Sequence, residues 1–235
     1  MRVAAIQSSF IPWSGYFDFI ASVDLFVIYD DVQYSSGSWR NRNRIKTISG
    51  TNWLTVPVKR KNLNQKIVDV EIDYSRPWQR KHSGAWSESY HSAPHFVAAM
   101  GLLEKYLTEP YETISQLNVS LIHRLCDYLG LTTPLIHSSN LDLQGHKTDR
   151  LIDLLKKLNA TTYLSGPSAD AYLEKEAFLR NDIQLEYKSY DYAPYPQLLG
   201  GFIGEVTVLD LIANCGPDAQ QLIRSRTPDR IIVRK

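Results

Sequence analysis

Two short apolar runs open the chain. Val3–Ile6 stops at the polar triplet Gln7, Ser8, Ser9, and Leu25–Tyr29 stops at Asp30 and Asp31. Between them Pro12, Ser14 and Gly15 break the pattern, and Tyr16 to Val23 resumes it at helical spacing. Unbroken apolar runs bounded by turn residues suit strands buried on both faces, so the opening reads strand, loop, helix, strand. The pattern then changes. Arg44–Ile48, a Ser49-Gly50 turn and Trp53–Val58 predict a hairpin, and the alternation in Lys66–Ile72 predicts one more strand. From about Pro77 to Leu129 the period becomes helical, most clearly at Ile114, Leu117, Leu121, Leu125 and Leu129. The last third alternates again. Strands are predicted at Pro134–His137, Thr162–Leu164 and Ile183–Tyr187, with helices at His146–Leu158, Glu174–Arg180, Val206–Asn214 and Asp218–Arg224. The expectation is an α/β, Rossmann-like fold with a mainly parallel sheet and helices on both faces. A β-hairpin and a helical insertion at about 77–130 would sit at its edge. At 235 residues without a fixed-period repeat, one elaborated domain is expected.

Composition narrows the class. Hydrophobic residues make up 43% and charged residues 22%, which excludes a disordered or fibrous chain. The net charge of +1 supplies no global field for nucleic acid or an anionic membrane, so basic contributions to binding must be local. The first apolar run is too short and polar for a secretory signal, and no stretch of about 18 apolar residues occurs. Cys126 falls on a helical apolar stripe and Cys215 has no evident His base, so neither predicts a metal site or a thiol nucleophile. A cytoplasmic chain is expected. The fourteen Tyr and five Trp exceed what a core needs, and such side chains often line pockets.

Four segments carry the candidate chemistry. Gln7 to Asp18 leaves a strand, contains Gly15 and enters a helix, the place where α/β sheets bind ligands and where free N–H groups favour an anion. A tight connection with Trp13 and Tyr16 in the core is the plainer alternative. Trp13-Ser14-Gly15-Tyr16 falls where nucleotidyltransferases carry His-x-Gly-His, but both histidines are missing. Next, Asp30 and Asp31 at a strand end could bind sugar hydroxyls, hold Mg²⁺, take a proton, or form a solvated turn. Gln33 follows, then Trp39-Arg40-Asn41-Arg42-Asn43-Arg44. Strand alternation would put three guanidiniums on one face, matching phosphate or carboxylate oxygens, and the two asparagines on the other. A solvated basic strand, or an RNA-binding one stacking a base on Trp39, is the rival reading. No wider basic surface supports RNA.

The third segment, Thr162 to Tyr172 with Ser165 and Gly166, repeats the strand, Ser-Gly, helix arrangement of a phosphate cradle without a P-loop lysine, and a common Ser-Gly-Pro turn is the plainer alternative. Upstream, Lys147 and Arg150 sit one helical turn apart and could reach an anion. The fourth, Tyr190 to Phe202 with Tyr195 and Gln197, is an aromatic, proline-rich loop suited to a lid or pocket wall. Asp30 or Asp31 is thus the candidate catalytic base. The candidate binding set is Gln7, Ser8, Trp13, Tyr16, Asp18, Gln33, Trp39, Arg40, Asn41, Arg42, Asn43, Arg44, Lys147, Ser165, Gly166, Tyr172, Tyr195 and Gln197.

The segments IQSSFIPWSGYFDFI, YDDVQY, WRNRNRIKT, WLTVPV, YLSGPSADAYL, YPQ and LDLIANCGPDA together resemble the WbqC-like protein family, in family order and over nearly the whole chain. Its bacterial members are similar to proteins from O-antigen and other surface-polysaccharide (lipopolysaccharide) gene clusters. The resemblance implies one WbqC-like domain over residues 1–235 and a transferase acting on a nucleotide-linked amino sugar, adding an acyl or aminoacyl group. The alternative is a non-catalytic nucleotide- or sugar-binding scaffold subunit. The expected partner is an anionic small molecule, a nucleotide-linked sugar, rather than nucleic acid. The sequence names no cofactor, and leaves open a homo-oligomer.

Overall fold

In the computed structural model, which describes residues 1–234, β1 (Arg2–Ile6) and β2 (Leu25–Ile28) lie parallel, with Val3 opposite Leu25 and Ile6 opposite Ile28. Helix α1 (Ser14–Ala21) makes the crossover. Side chains alternate between two cores, because a strand turns successive residues to opposite faces. Ala4, Phe26 and Ile28 join one cluster and Val3 and Val27 the other. Both faces are covered, hence the apolar runs without polar interruption.

After β2 the chain forms a hairpin, β3 (Arg42–Thr47) and β4 (Gly50–Thr55), with Arg44 opposite Trp53. A second small pair follows, β5 (Val58–Lys59) with β6 (Glu71–Ile72). The strand expected over Lys66–Ile72 is mostly absent. Ile67–Asp69 is a 3-10 turn whose main chain is drawn towards the β2 exit, Ile67 N–H donating to Val32 O at 3.0 Å and Val68 N–H to Asp30 O at 3.1 Å. Helices α2 (Trp78–Tyr90), α3 (Phe96–Thr108) and α4 (Ile114–Tyr128) follow. A capping box of Thr113 and Gln116 starts α4, and its stripe of Leu117, Leu121 and Leu125 packs into the core shared with α1.

The sheet then resumes with β7 (Leu135–His137), α5 (Lys147–Lys157), β8 (Thr162–Ser165), α6 (Lys175–Arg180) and β9 (Gln184–Tyr187). Helices α7 (Val208–Cys215) and α8 (Ala219–Leu222) precede a final strand, β10 (Arg230–Val233). The six-stranded order is β10-β9-β8-β1-β2-β7, parallel except for β10. The apolar pattern does not announce β10, because it is an edge strand with Arg230 and Ile231 exposed. Leu151, Leu155 and Phe178 of α5 and α6 cover one face, and Ile20, Leu121 and Leu209 of α1, α4 and α7 the other. From β1 the sheet grows to one side through β2 and β7, and the chain then crosses back from β7 to add β8 and β9 on the other side of β1. That reversal opens a crevice at the carboxyl ends of β1 and β8. Among the described residues no helix is long and apolar enough to cross a membrane.

One buried group makes stability depend on pH. His82 of α2 is 3% exposed, with Nε2 3.1 Å from Thr55 O and Nδ1 3.2 Å from the Tyr106 hydroxyl. A neutral ring donating from Nε2 and accepting at Nδ1 satisfies both. Burial among Phe10, Trp78 and Tyr106 pushes its pKa from 6.5 down to about 4. Between those values the unfolded chain binds a proton that the folded chain refuses. Stability present above pH 6.5 is therefore lost as the pH falls towards 4, by about 3 kcal/mol. The melting temperature should drop over this window more steeply in the wild type than in His82→Gln. Parallel curves would show that His82 does not set the slope.

Candidate functional site

The crevice is a cavity of about 1230 Å³, somewhat above the usual range for small-molecule sites. Its walls are the loop after β1, the loop after β8, the approach to β3 and the first turn of α5. Of the sequence candidates, Gln7, Trp13, Tyr16, Trp39, Arg40, Asn43, Arg44, Lys147, Ser165, Gly166 and Tyr172 line it. Gly166 lets Tyr190 approach, since a Cβ there would lie 3.1 Å from the Tyr190 hydroxyl. At Gly15 a Cβ would lie 2.4 Å from the Trp13 indole, which rests across the first turn of α1. An indole therefore packs on the second residue of the helix whose terminus is expected from the sequence to attract an anion.

The positive charge comes instead from Arg40. Its guanidinium donates to Gln7 Oε1 and, at 2.8 Å, to Ser9 Oγ, both neutral. Its Nε is buried without a partner, and it forms no salt bridge among the described residues. Burial pulls its pKa below the ordinary value, opposed by Tyr16, Asp30 and Tyr34. The group remains charged, and a desolvated cation without a contacting anion is costly. Its main chain is held on both sides. Phe10 N–H donates to Trp39 O at 2.9 Å, and Asn118 Nδ2 donates to Arg40 O at 2.8 Å. Arg44 also lines the cavity and pairs at 2.8 Å with Glu205, whose side chain is mostly exposed. Lys147 lines the opposite wall at a φ of +49°, a left-handed conformation uncommon for a residue with a Cβ.

Strain also marks the β1 exit loop. Ile11 has a φ of +41°, which costs roughly 1–2 kcal/mol for a residue with a Cβ. Asn43 holds the loop there, donating from Nδ2 to Phe10 O at 3.1 Å and to Ile11 O at 2.6 Å. Asn41 is equally structural, donating to Val56 O at 2.9 Å.

Both candidate catalytic carboxylates lie off the cavity wall. Asp30 is 1% exposed and accepts from Ser8 N–H at 2.7 Å and from the Ser115 hydroxyl at 2.5 Å. Ser8 lies behind the wall with it, its hydroxyl accepting from Asn118 Nδ2 at 3.1 Å. Asp31 points the other way, bound by Arg150 and the Ser138 hydroxyl. Successive side chains leave a strand end on opposite faces, so the two carboxylates are not a pair. Their geometry is that of clamps rather than free proton acceptors.

The remaining candidates lie elsewhere. Arg40 precedes β3 and does not share its alternation, so no row of three guanidiniums forms. Arg42 sits 4.3 Å over the Trp53 ring, outside the cavity. Gln33 is exposed and donates to Leu63 O at 2.7 Å. Asp18 is buried against Lys188 at 2.9 Å and accepts from the Tyr192 hydroxyl at 3.1 Å. Tyr195 and Gln197 donate to buried Asp210 at 2.7 and 2.6 Å, and Gln197 Oε1 accepts from Lys46 Nζ at 2.9 Å. These bonds fasten their loop, and neither residue lines the cavity. Conversely, Ser9, Tyr29, Arg150, Tyr163, Glu174, Tyr190 and Glu205 line the cavity and are absent from the sequence-derived set. Ser9, Arg150 and Tyr190 lay within segments already marked, whereas nothing in the pattern pointed to Glu205.

Fold and crevice thus define a Rossmann-like α/β protein with a cationic cavity at the switch point of its sheet. The chain belongs to the WbqC-like protein family, whose model matches residues 7–222. It is 44% identical over 226 residues to "Uncharacterized protein Rv1507c" of Mycobacterium tuberculosis (strain ATCC 25618 / H37Rv), covering 95% of this chain and 97% of that protein. No solved structure matches it.

As a clamp, Asp30 should tolerate substitution poorly. Asp30→Asn turns a two-donor acceptor into a group with its own donor, leaving Ser8 N–H or Ser115 Oγ–H unpaired, which should cost about 1–3 kcal/mol. Urea unfolding should show that loss. Wild-type stability in Asp30→Asn would return Asp30 to the set of proton-transfer candidates.

Proposed function

We propose that the cavity binds a phosphate-bearing small molecule, a nucleotide-linked amino sugar. The protein then acts as an acyl- or aminoacyl-type transferase in surface-polysaccharide (O-antigen) biosynthesis. The observation that carries the binding step is Arg40, a largely desolvated guanidinium with only neutral side-chain partners, placed where parallel α/β sheets bind ligands. An anionic oxygen supplies the counter-charge that the protein withholds. Arg44 and Lys147 add positive charge around the same space, and Gln7, Ser9 and Ser165 offer hydrogen bonds to oxygens. The transfer step and the polysaccharide context rest on family membership. A concave, cationic cavity fits a ligand-binding protein better than a flat scaffold.

In this reading Asp30 and Asp31 position donors. Asp30 fixes the Ser8 main chain, and through Ser8 and Asn118 the loop that carries Arg40; Asp31 fixes Arg150 at the cavity edge.

Titration with nucleoside diphosphate sugars tests the assignment. Arg40→Gln should weaken binding by about 1.5–3 kcal/mol, the worth of a hydrogen bond to a charged group. Arg42→Ala should lose far less than Arg40→Gln, because its guanidinium stands outside the cavity and braces only Trp53. Wild-type affinity in Arg40→Gln, or an equal loss in Arg42→Ala, would remove Arg40 from the centre of the site.

A further inference from the structure

Next to Arg40 in the chain stands an exposed aromatic surface at the cavity mouth. Trp39 is 43% exposed and Trp53 41% exposed, with ring centroids 5.2 Å apart. Two guanidiniums brace the pair. Arg42 lies 4.3 Å over Trp53, and Arg44 lies 5.6 Å from each ring. Trp53 is fixed by strand pairing opposite Arg44, and the Trp39 carbonyl is fixed by Phe10 N–H at 2.9 Å. Trp39 and Arg44 line the cavity, whereas Trp53 and Arg42 stand outside it as support. Two large indoles held half in water are a poor use of apolar area in a core, since burial would remove that area from water. They are what a stacking surface requires.

We infer that Trp39, backed by Trp53 and Arg44, is the platform on which the nucleobase of the bound nucleotide stacks while its phosphates lie against Arg40. This rests on the nucleotide reading of the cavity and adds the ligand's direction, with phosphate inward and base at the mouth. A flat base is favoured over a puckered sugar because an exposed indole face stacks planar rings, and the Arg44 guanidinium 5.6 Å from the Trp39 centroid adds a cation–π contact to that surface. The sugar is then left to the wall of Trp13, Tyr190 and Ser165. Stacking reads the face of a ring and not its edge, so the site discriminates weakly among bases.

The test is calorimetric titration of the full chain with pyrophosphate and with the diphosphates of adenosine, guanosine, uridine and thymidine. In the wild type every nucleoside diphosphate should bind more tightly than pyrophosphate, on the order of tenfold to a hundredfold, and within about tenfold of one another. Trp39→Ala should bring the nucleotides down to the pyrophosphate level without altering pyrophosphate affinity, and Trp39→Phe should restore most of the difference. Far-UV circular dichroism should be unchanged and unfolding should stay cooperative with a small drop in melting temperature, as Trp39 is 43% exposed and packs on Trp53 and Arg44 at the surface. Nucleotide binding that survives intact in Trp39→Ala would overturn the platform and leave the anion site standing. A spread far beyond tenfold among bases would overturn stacking as the mode of recognition. If neither pyrophosphate nor any nucleotide bound, the anion site and the platform would fall together.

Discussion

Asp30 stands at the carboxyl end of β2 with almost no exposed surface, and three parts of the chain meet through it. Its oxygens take the Ser8 N–H of the β1 exit loop and the Ser115 hydroxyl of α4. One step further, Asn118 of α4 reaches both the Ser8 hydroxyl and the Arg40 main chain. A single buried carboxylate therefore ties a sheet strand, a helix and the approach to the hairpin into one frame. A carboxylate so deep is tolerable only when hydrogen-bonded, and here each of its two oxygens takes a bond that also positions a wall of the cavity.

The same frame explains the state of Arg40. Asp30 lies close enough to favour the charged guanidinium, yet Gln7 and Ser9, both neutral, take its hydrogen bonds. A direct Asp–Arg pair would satisfy both ions and leave nothing for a ligand. Keeping the carboxylate one layer back supports the positive charge and leaves its contacts free to change. Arg150, bound directly to Asp31, shows the opposite arrangement on the same cavity. Of the three arginines on the cavity, Arg44 and Arg150 are paired with carboxylates and Arg40 is only partly compensated.

Much of the fold was legible because both faces of the central sheet are buried, so strands appear as apolar runs ending in polar residues. The edge strand β10 was not, since a half-exposed edge needs no such run. Lys66–Ile72 misled because Ile67, Val70 and Ile72 are all buried at mixed spacings that mimic alternation. The site was legible as segments and less so as side chains. The loops after β1 and β8 do meet at one cavity. But alternation in Arg40–Arg44 could not reveal that β3 begins only at Arg42, nor that Trp53, distant in sequence, would capture that arginine. Adjacent aspartates looked like a pair until their strand-end geometry sent them to opposite sides. The tyrosine loop looked like a lid because its buried partner, Asp210, sits on a helix the loop's own sequence does not announce.

In the function proposed for the cavity, an anionic ligand occupies the space between the β1 exit loop, residues 39–44 and the loop after β8. Amide hydrogen exchange, measured with and without a saturating nucleoside diphosphate sugar, locates it most directly. Slowed exchange should concentrate in residues 7–13, 39–44 and 165–173. Protection confined to the 61–69 loop or the 195–203 loop, with those three segments unchanged, would contradict it.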